Sequence, residues 1–196
     1  MARVSREQAL QNRDRLAQVA GRLFRERGMD GVGVAELSRE AGMTHGALYS
    51  RFGSRDGLVA AAFGSGETQS EASMQAALGA APSLDQILDF YVSARQRDNH
   101  AQCCPMLASA SEAARQSDDL REHFARSFDR LSATIAQALD RDGEAPQAQT
   151  SHVIAAAMIG IVAVARAIQS ADAQGSDALI AAAPSLLAAL AKTNAG

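Results

Sequence analysis

Apolar residues recur along this chain with the period of an amphipathic helix. Leu16, Val19, Ala20, Leu23 and Phe24 fall at i, i+3, i+4, i+7 and i+8, one face of a first helix that Gly28 ends. Met29-Asp30-Gly31 forms a loop to a short second helix from Val34 to Ala41, with Val34, Leu37 and Ala41 on one side. Gly33 is its expected N-cap, and Glu36 sits favourably in its first turn. Gly42 supplies a tight turn, and the Thr44 hydroxyl can cap a third helix over residues 45–51 that turns Leu48 and Phe52 inward. Ser54 caps a fourth helix starting at Arg55, and Gly64-Ser65-Gly66 predicts a kink or joint. Further helices are predicted over residues 67–78, 83–98, 105–115, 118–141, 147–173 and 176–192. The breaks between them fall at residues 79–82, 104–105, 116–117, 142–146 and 175–176. β-branched runs bounded by turn signals are missing, and no fixed-period repeat is seen. The expected fold is all-α: an N-terminal three-helix helix-turn-helix domain over residues 1–63, then a larger helical domain over residues 64–196.

Composition supports helices, since aromatics are only 4% and Ala, the best helix former, is abundant. With 47% hydrophobic residues the chain can bury a sizeable core. A net charge of −3 looks unsuited to nucleic acid until it is divided along the chain. Residues 1–63 hold ten Arg against seven acidic residues, a balance of +3, and the remainder holds nine basic against fifteen acidic residues, −6. One end is therefore suited to a polyanion and the other is not. Arg3, Arg6, Arg13 and Arg15 crowd the first fifteen residues, a polar start that predicts no secretory leader. The longest apolar stretch, residues 153–165, stops at Arg166, well short of the ~20 residues a bilayer span needs. It predicts a buried core helix and no membrane partner. Two adjacent cysteines, Cys103 and Cys104, make no disulfide framework, which points to the reducing cytoplasm.

Two short helices joined by a Gly-containing turn over residues 33–52 make a helix-turn-helix. An α-helix fits the major groove, where base edges present distinguishable donors and acceptors, while its partner helix braces it on the phosphate backbone. The third helix would present Thr44, His45, Ala47 and Tyr49, with Ser50 or Arg51. Leu23-Phe24 through Gly28, Val34-Ala35-Glu36-Leu37, the run from Ala41-Gly42-Met43-Thr44-His45-Gly46-Ala47-Leu48-Tyr49, and Phe52-Gly53-Ser54-Arg55-Asp56-Gly57-Leu58 together resemble the DNA-binding domain of the TetR family of transcriptional regulators. The resemblance covers about residues 10–60. It implies that Thr44 and His45, at the start of the recognition helix, approach bases or phosphates, and that Gly46 permits close backbone approach. Tyr49 would bring its hydroxyl to a phosphate, and Arg55 would hold a phosphate beside the N-terminus of the fourth helix. The family often has Thr or Ser at the start of the second helix. Here Val32-Gly33 leaves only backbone N–H groups, with Gly33 and Val34 at the contact, and the Arg-rich arm is expected to compensate.

Beyond residue 63 the resemblance is architectural. It implies a mostly apolar effector pocket and a homodimer through the last two helices. Ile154, Met158, Ile159, Ile161, Val162, Ala165 and Ile168 make a helix apolar nearly all round, which must be buried on more than one side. With Leu179, Ile180, Leu186, Leu187 and Leu190 it forms the expected dimer surface. Such a dimer would read two half-sites of double-stranded operator DNA spaced by ~34–36 Å or a multiple. Pocket candidates are Tyr91, Arg95, Cys103, Cys104, Met106, Leu107, Phe124, Phe128 and Met158, any of which equally suits a plain core; Arg95 could instead pair with Asp98. Pro105 suits a first helical turn and leaves Cys104 near the N-cap, where the helix end favours thiolate. Similar Cys-Pro pairs occur in branches of the family that sense electrophiles or oxidants, so a cysteine-based sensor is one alternative. A helical ligand-binding module without DNA recognition is another. No catalytic triad, HExxH motif or phosphate loop supports an enzyme, Gly28-x-x-Gly31-x-Gly33 has the wrong spacing for a dinucleotide site, and no cofactor is expected. His100, His123 and His152 lack ligand spacing to the cysteines, so no metal is expected either. The effector itself is not legible.

Overall fold

A computed structural model describes residues 6–141 and 148–193, so Arg3 of the basic arm and the expected break at residues 142–146 lie outside the described residues. Among the described residues ten helices follow one another: α1 (Arg6–Arg27), α2 (Val34–Ala41), α3 (His45–Phe52), α4 (Arg55–Leu78), α5 (Leu84–Tyr91), α6 (Ala94–Asp98), α7 (Pro105–Ala113), α8 (Asp118–Arg141), α9 (Ala148–Ile168) and α10 (Ala173–Thr193). The fold is all-α.

The first three helices pack as their stripes require. Leu16, Ala20, Leu23 and Phe24 of α1 meet Leu37, Leu48 and Leu58 in one buried cluster, with Phe52 partly buried against it. Gly42 takes a left-handed φ of 66°, and its N–H and that of Met43 bond to the carbonyls of Arg39 and Ser38, closing α2. Ser54 caps α4 by accepting the Gly57 N–H at 3.0 Å.

Three boundaries differ from the sequence-based expectation. α4 runs without a break through Gly64-Ser65-Gly66. These glycines serve close approach: a Cβ on Gly64 would press on His123, and one on Gly66 would collide with the Arg25 guanidinium. The helix expected over residues 83–98 is two, because Ser93 caps α6 by accepting the Gln96 N–H at 3.3 Å. The last break falls before Gly175, where Asp172 accepts the Gly175 N–H at 2.8 Å and starts α10.

α9 packs against α6, α7, α8 and α10 and holds Ile154, Ala155, Met158, Val162 and Ala165 in the core. Both α9 and α10 contain stretches, Gln149–Ile168 and Ala173–Lys192, long and apolar enough by length and composition to cross a membrane. Here they are bundle helices tied by polar bonds. Arg166 donates to the Arg97 and Gln96 carbonyls, and Ser176 donates to the Ala165 carbonyl at 2.7 Å. Buried Arg97 binds Ser176 and Asp177 and also pairs with Asp98, fixing α6 to the start of α10. Those acceptors hold the Arg97 guanidinium proton more tightly than usual, and Arg97 in turn holds Asp98 below the ordinary carboxylate range.

Candidate nucleic-acid interface and interior cavity

α3 presents a polar, solvent-facing surface because its apolar residues are spent inward. Leu48 is fully buried, whereas Thr44, His45, Gly46, Tyr49 and Ser50 are exposed. Thr44 is the N-cap: its hydroxyl oxygen accepts the Ala47 N–H at 3.3 Å. That bond uses an acceptor lone pair and leaves the hydroxyl proton to donate outward. Tyr49 is 47% exposed, which is unusual for a large ring and keeps its hydroxyl in solvent. A Cβ on Gly46 would meet no heavy atom within 4 Å, so the protein itself places no demand on that glycine.

Arg51 lies folded along its own helix and donates to the Ala47 carbonyl at 2.8 Å, with its Nε buried and unpartnered. Arg55 turns back to the loop after α1, where it donates to the Met29 carbonyl and lies 4.0 Å from Asp30. Gly33 caps α2 with no side-chain bond, as its lack of a hydroxyl requires, and Val34 is partly buried. Several basic residues of this end are engaged internally: Arg22 with Glu26 and Glu40, and Arg27 and Arg39 with Glu36. The N-terminal half of α1 adds exposed Arg6, Arg13 and Arg15, and Arg13 lies over the Phe52 ring at 5.3 Å, beside the end of α3.

A cavity of about 390 Å³ opens between α4, α5, α7 and α8. Its apolar wall includes Met74, Phe90, Met106 and Leu131, with Tyr91 and Cys104 at one side. At the other, buried Glu67 is held by Arg130 at 2.7 Å and by His123 at 3.2 Å, and Arg130 reaches Glu71 at 3.4 Å. Of the pocket candidates, the cavity brings together Tyr91, Cys104 and Met106. Met158 and Leu107 lie in the core, and Cys103 is buried and donates to the His100 carbonyl. Phe124 packs on Phe63, Phe128 packs on His152, and exposed Arg95 covers Phe90 and donates to Ser73. Arg97 is the residue that pairs with Asp98. Glu67 and Arg130 gave no sequence signal, since an acidic residue in a helix reads as surface until its packing is known.

Cys104 is the N-cap of α7, with Pro105 in the first turn. Burial is the largest effect on the Cys104 thiol and pushes it up from its ordinary value, while the adjacent Tyr91 hydroxyl and then the amides of Leu107 and Met106 favour the thiolate and partly oppose it. Burial also raises the Tyr91 phenol well above its usual value, so it stays protonated.

Two further side chains join the two ends of the molecule. Arg25 of α1 is buried and donates to the Ala101 carbonyl at 3.0 and 2.6 Å, just before the cysteines. Its guanidinium occupies space left by Gly21 and Gly66, and burial lowers its proton affinity. Glu112, at the far end of α7, accepts the Met29 N–H at 2.8 Å. α7 thus touches the cavity at its start and the loop before α2 at its end.

Comparison with known proteins adds two family matches. Residues 16–62 match the model described as bacterial regulatory proteins of the tetR family. Residues 80–173 match the C-terminal domain of LmrA/YxaF-like transcriptional regulators. No curated protein matches the chain. Among solved structures, a TetR transcriptional regulator from Chloroflexus aurantiacus is 23% identical with a TM-score of 0.75, covering 93% of this chain and 95% of its own. A TetR-family regulator from Cytophaga hutchinsonii is 21% identical with a TM-score of 0.71, covering 96% and 98%. Reduced NemR from E. coli is 23% identical with a TM-score of 0.69, covering 87% and 94%.

Proposed function

Because the chain belongs to the TetR family of transcriptional regulators, a non-enzymatic family of DNA-binding proteins, we propose that it is a dimeric repressor, released from its operator by a small molecule entering the cavity. The observation that carries this reading is the pairing of an outward polar α3 with a cavity between the helices of the second domain, joined by α7. Thr44, His45 and Ala47 are the residues we assign to the groove. Gly46 lets the backbone near, and Tyr49 and the exposed arginines of α1 take phosphates. Arg55, with Arg51, would have to leave its internal carbonyl to reach a phosphate, and Gly33 and Val34 offer only backbone N–H groups.

Two α3 helices must sit a helical turn of DNA apart, ~34–36 Å or a multiple, which needs a second subunit. The faces of α9 and α10 left uncovered support one: Val153, Ala156, Gly160 and Val164 form a stripe on α9, and Ala182, Leu186 and Leu190 form another on α10. Such apolar exposure on two adjacent helices suits an isologous four-helix interface.

An effector acts only through its different affinity for two conformations. A molecule in the cavity touches Cys104 and Met106 at the start of α7. Movement of α7 would be passed to α1 through Arg25 and Ala101, and to the loop before α2 through Glu112 and Met29. The two reading heads would then lose their spacing. We place the protein in the cytoplasm, where its cysteines stay reduced.

A gel-shift titration against DNA upstream of its own gene, at low and physiological salt, tests the reading. Saturable binding that survives competitor DNA and weakens with salt supports it, because each phosphate contact releases counterions. Equal affinity for unrelated DNA would remove sequence-specific repression at that site.

A further inference from the structure

The cavity between α4, α5, α7 and α8 carries a chemical signature beyond its volume. Its one buried charge is already engaged. Glu67, with its side chain only 8% exposed, places one carboxylate oxygen on Arg130 and the other on His123, and Arg130 also bonds Ser127 and Glu71. A carboxylate ligand would have to take Arg130 from Glu67, and an ammonium would have to take Glu67 from two partners. The first leaves buried Glu67 without its guanidinium, which is costly, and the second displaces an arginine and a histidine already in place. In contrast, Tyr91 is 4% exposed and its hydroxyl, beside only the weakly hydrogen-bonding Cys104 thiol, has no oxygen or nitrogen partner, although the ring is part of the cavity wall. Burial keeps it a neutral phenol, and a buried hydroxyl without a partner is a cost that a ligand can remove. Met74, Phe90, Met106 and Leu131 form an apolar part of the wall, and Ser70, Ser127, Thr134 and Gln137 add uncharged polar groups.

We propose that the cavity takes an uncharged, mostly apolar molecule with an acceptor oxygen, such as a ketone, ester or aldehyde, which receives the Tyr91 hydroxyl. The inference rests on the reading of this cavity as the effector site and adds the class of molecule that fits it.

Four naphthalene derivatives of one size test it: 2-acetylnaphthalene, 2-ethylnaphthalene, 2-naphthoate and 2-naphthylmethylammonium. Each is titrated by calorimetry into the full-length protein and into the Tyr91→Phe variant, with no DNA present. The ketone should bind about tenfold tighter than the hydrocarbon and than either ion. Tyr91→Phe should lower ketone affinity to that of the hydrocarbon and leave hydrocarbon affinity unchanged, which also shows that the cavity is intact. Tightest binding by an ion, absence of binding by all four, or ketone affinity unaffected by Tyr91→Phe would each overturn the assignment. A parallel gel-shift separates the two readings. A ketone that binds through Tyr91 but leaves the operator complex intact sinks release, not ligand class; release by an ion alone sinks the class, not release.

Discussion

At the scale of single residues, Gly46 separates a demand of folding from a demand of DNA. Beyond its own turn of helix, nothing in the protein lies within 4 Å of the Cβ it lacks. Gly46→Ala should therefore leave the melting temperature unchanged or raise it, since Ala is favoured over Gly in a helix by up to about 1 kcal/mol. Operator affinity should nevertheless fall several-fold, because the added methyl stands where phosphate or base would approach. Equal affinity of variant and wild type in the gel-shift would show that this glycine has no part in recognition. Cys104 makes a second residue-scale prediction. Its thiol is buried and its proton is held more tightly than usual, so at pH 7 it should react with Ellman's reagent far more slowly than a free thiol. Both cysteines should react at once after unfolding. Rapid reaction of Cys104 in the native protein, coupled to loss of DNA binding, would revive the cysteine-sensing alternative.

At the scale of elements, the packing of α1 on α4 depends on Gly21, where a Cβ would stand 2.9 Å from the Ala62 carbonyl oxygen and crowd Arg25. Gly21→Ala should cost roughly 1–3 kcal/mol in chemical denaturation, because a backbone carbonyl cannot move aside as a side-chain tip can. A neutral result would mean that α1 slides without loss. The link from α6 to α10 has its own test in acid. Asp98 has its folded-state pKa depressed by Arg97, so its contribution is present above the unfolded carboxylate value of about 4. It is lost as pH falls through the folded value. Asp98→Asn should flatten the loss of stability below about pH 4, a small effect because the carboxylate is half exposed. A parallel fall in both proteins would remove Asp98 from the acid response. The elements that sequence made legible, α1 to α3 and α8, are those whose stripes and caps are local: Thr44, Ser54 and Gly42 act within a few residues of themselves. The break misplaced inside α4 depends on contacts far along the chain. Gly64 and Gly66 look like a hinge until His123 and Arg25 are seen against them. Ser93 divides α5 from α6 with a signal no stronger than that of any serine within a helix.

At the scale of the whole molecule, the outward face of α3 was legible because one short helix builds it, whereas the cavity was not, because four helices separated by up to 70 residues supply its wall. Sequence reached Tyr91, Cys104 and Met106 but had no means to find that Glu67 and Arg130 meet across it. The proposed dimer surface lies between these cases, for an all-round apolar helix announces burial without saying against what. The uncovered stripe supplies an answer that can be broken on purpose. Val164 is 52% exposed on α9, one turn from Gly160, where an added side chain would meet nothing within the subunit. Val164→Arg should therefore fold normally by circular dichroism. In a two-fold dimer the substitution occurs twice in one interface, desolvating two like charges with no anion to receive them, and should weaken association by at least about 100-fold. Analytical ultracentrifugation at micromolar concentration should then show monomer for the variant and dimer for the wild type. Operator affinity should fall with the loss of the second reading head, since one α3 reaches only one half-site. A variant that stays dimeric would place the interface elsewhere. A variant that is monomeric but binds the operator undiminished would show that this regulator reads DNA one subunit at a time.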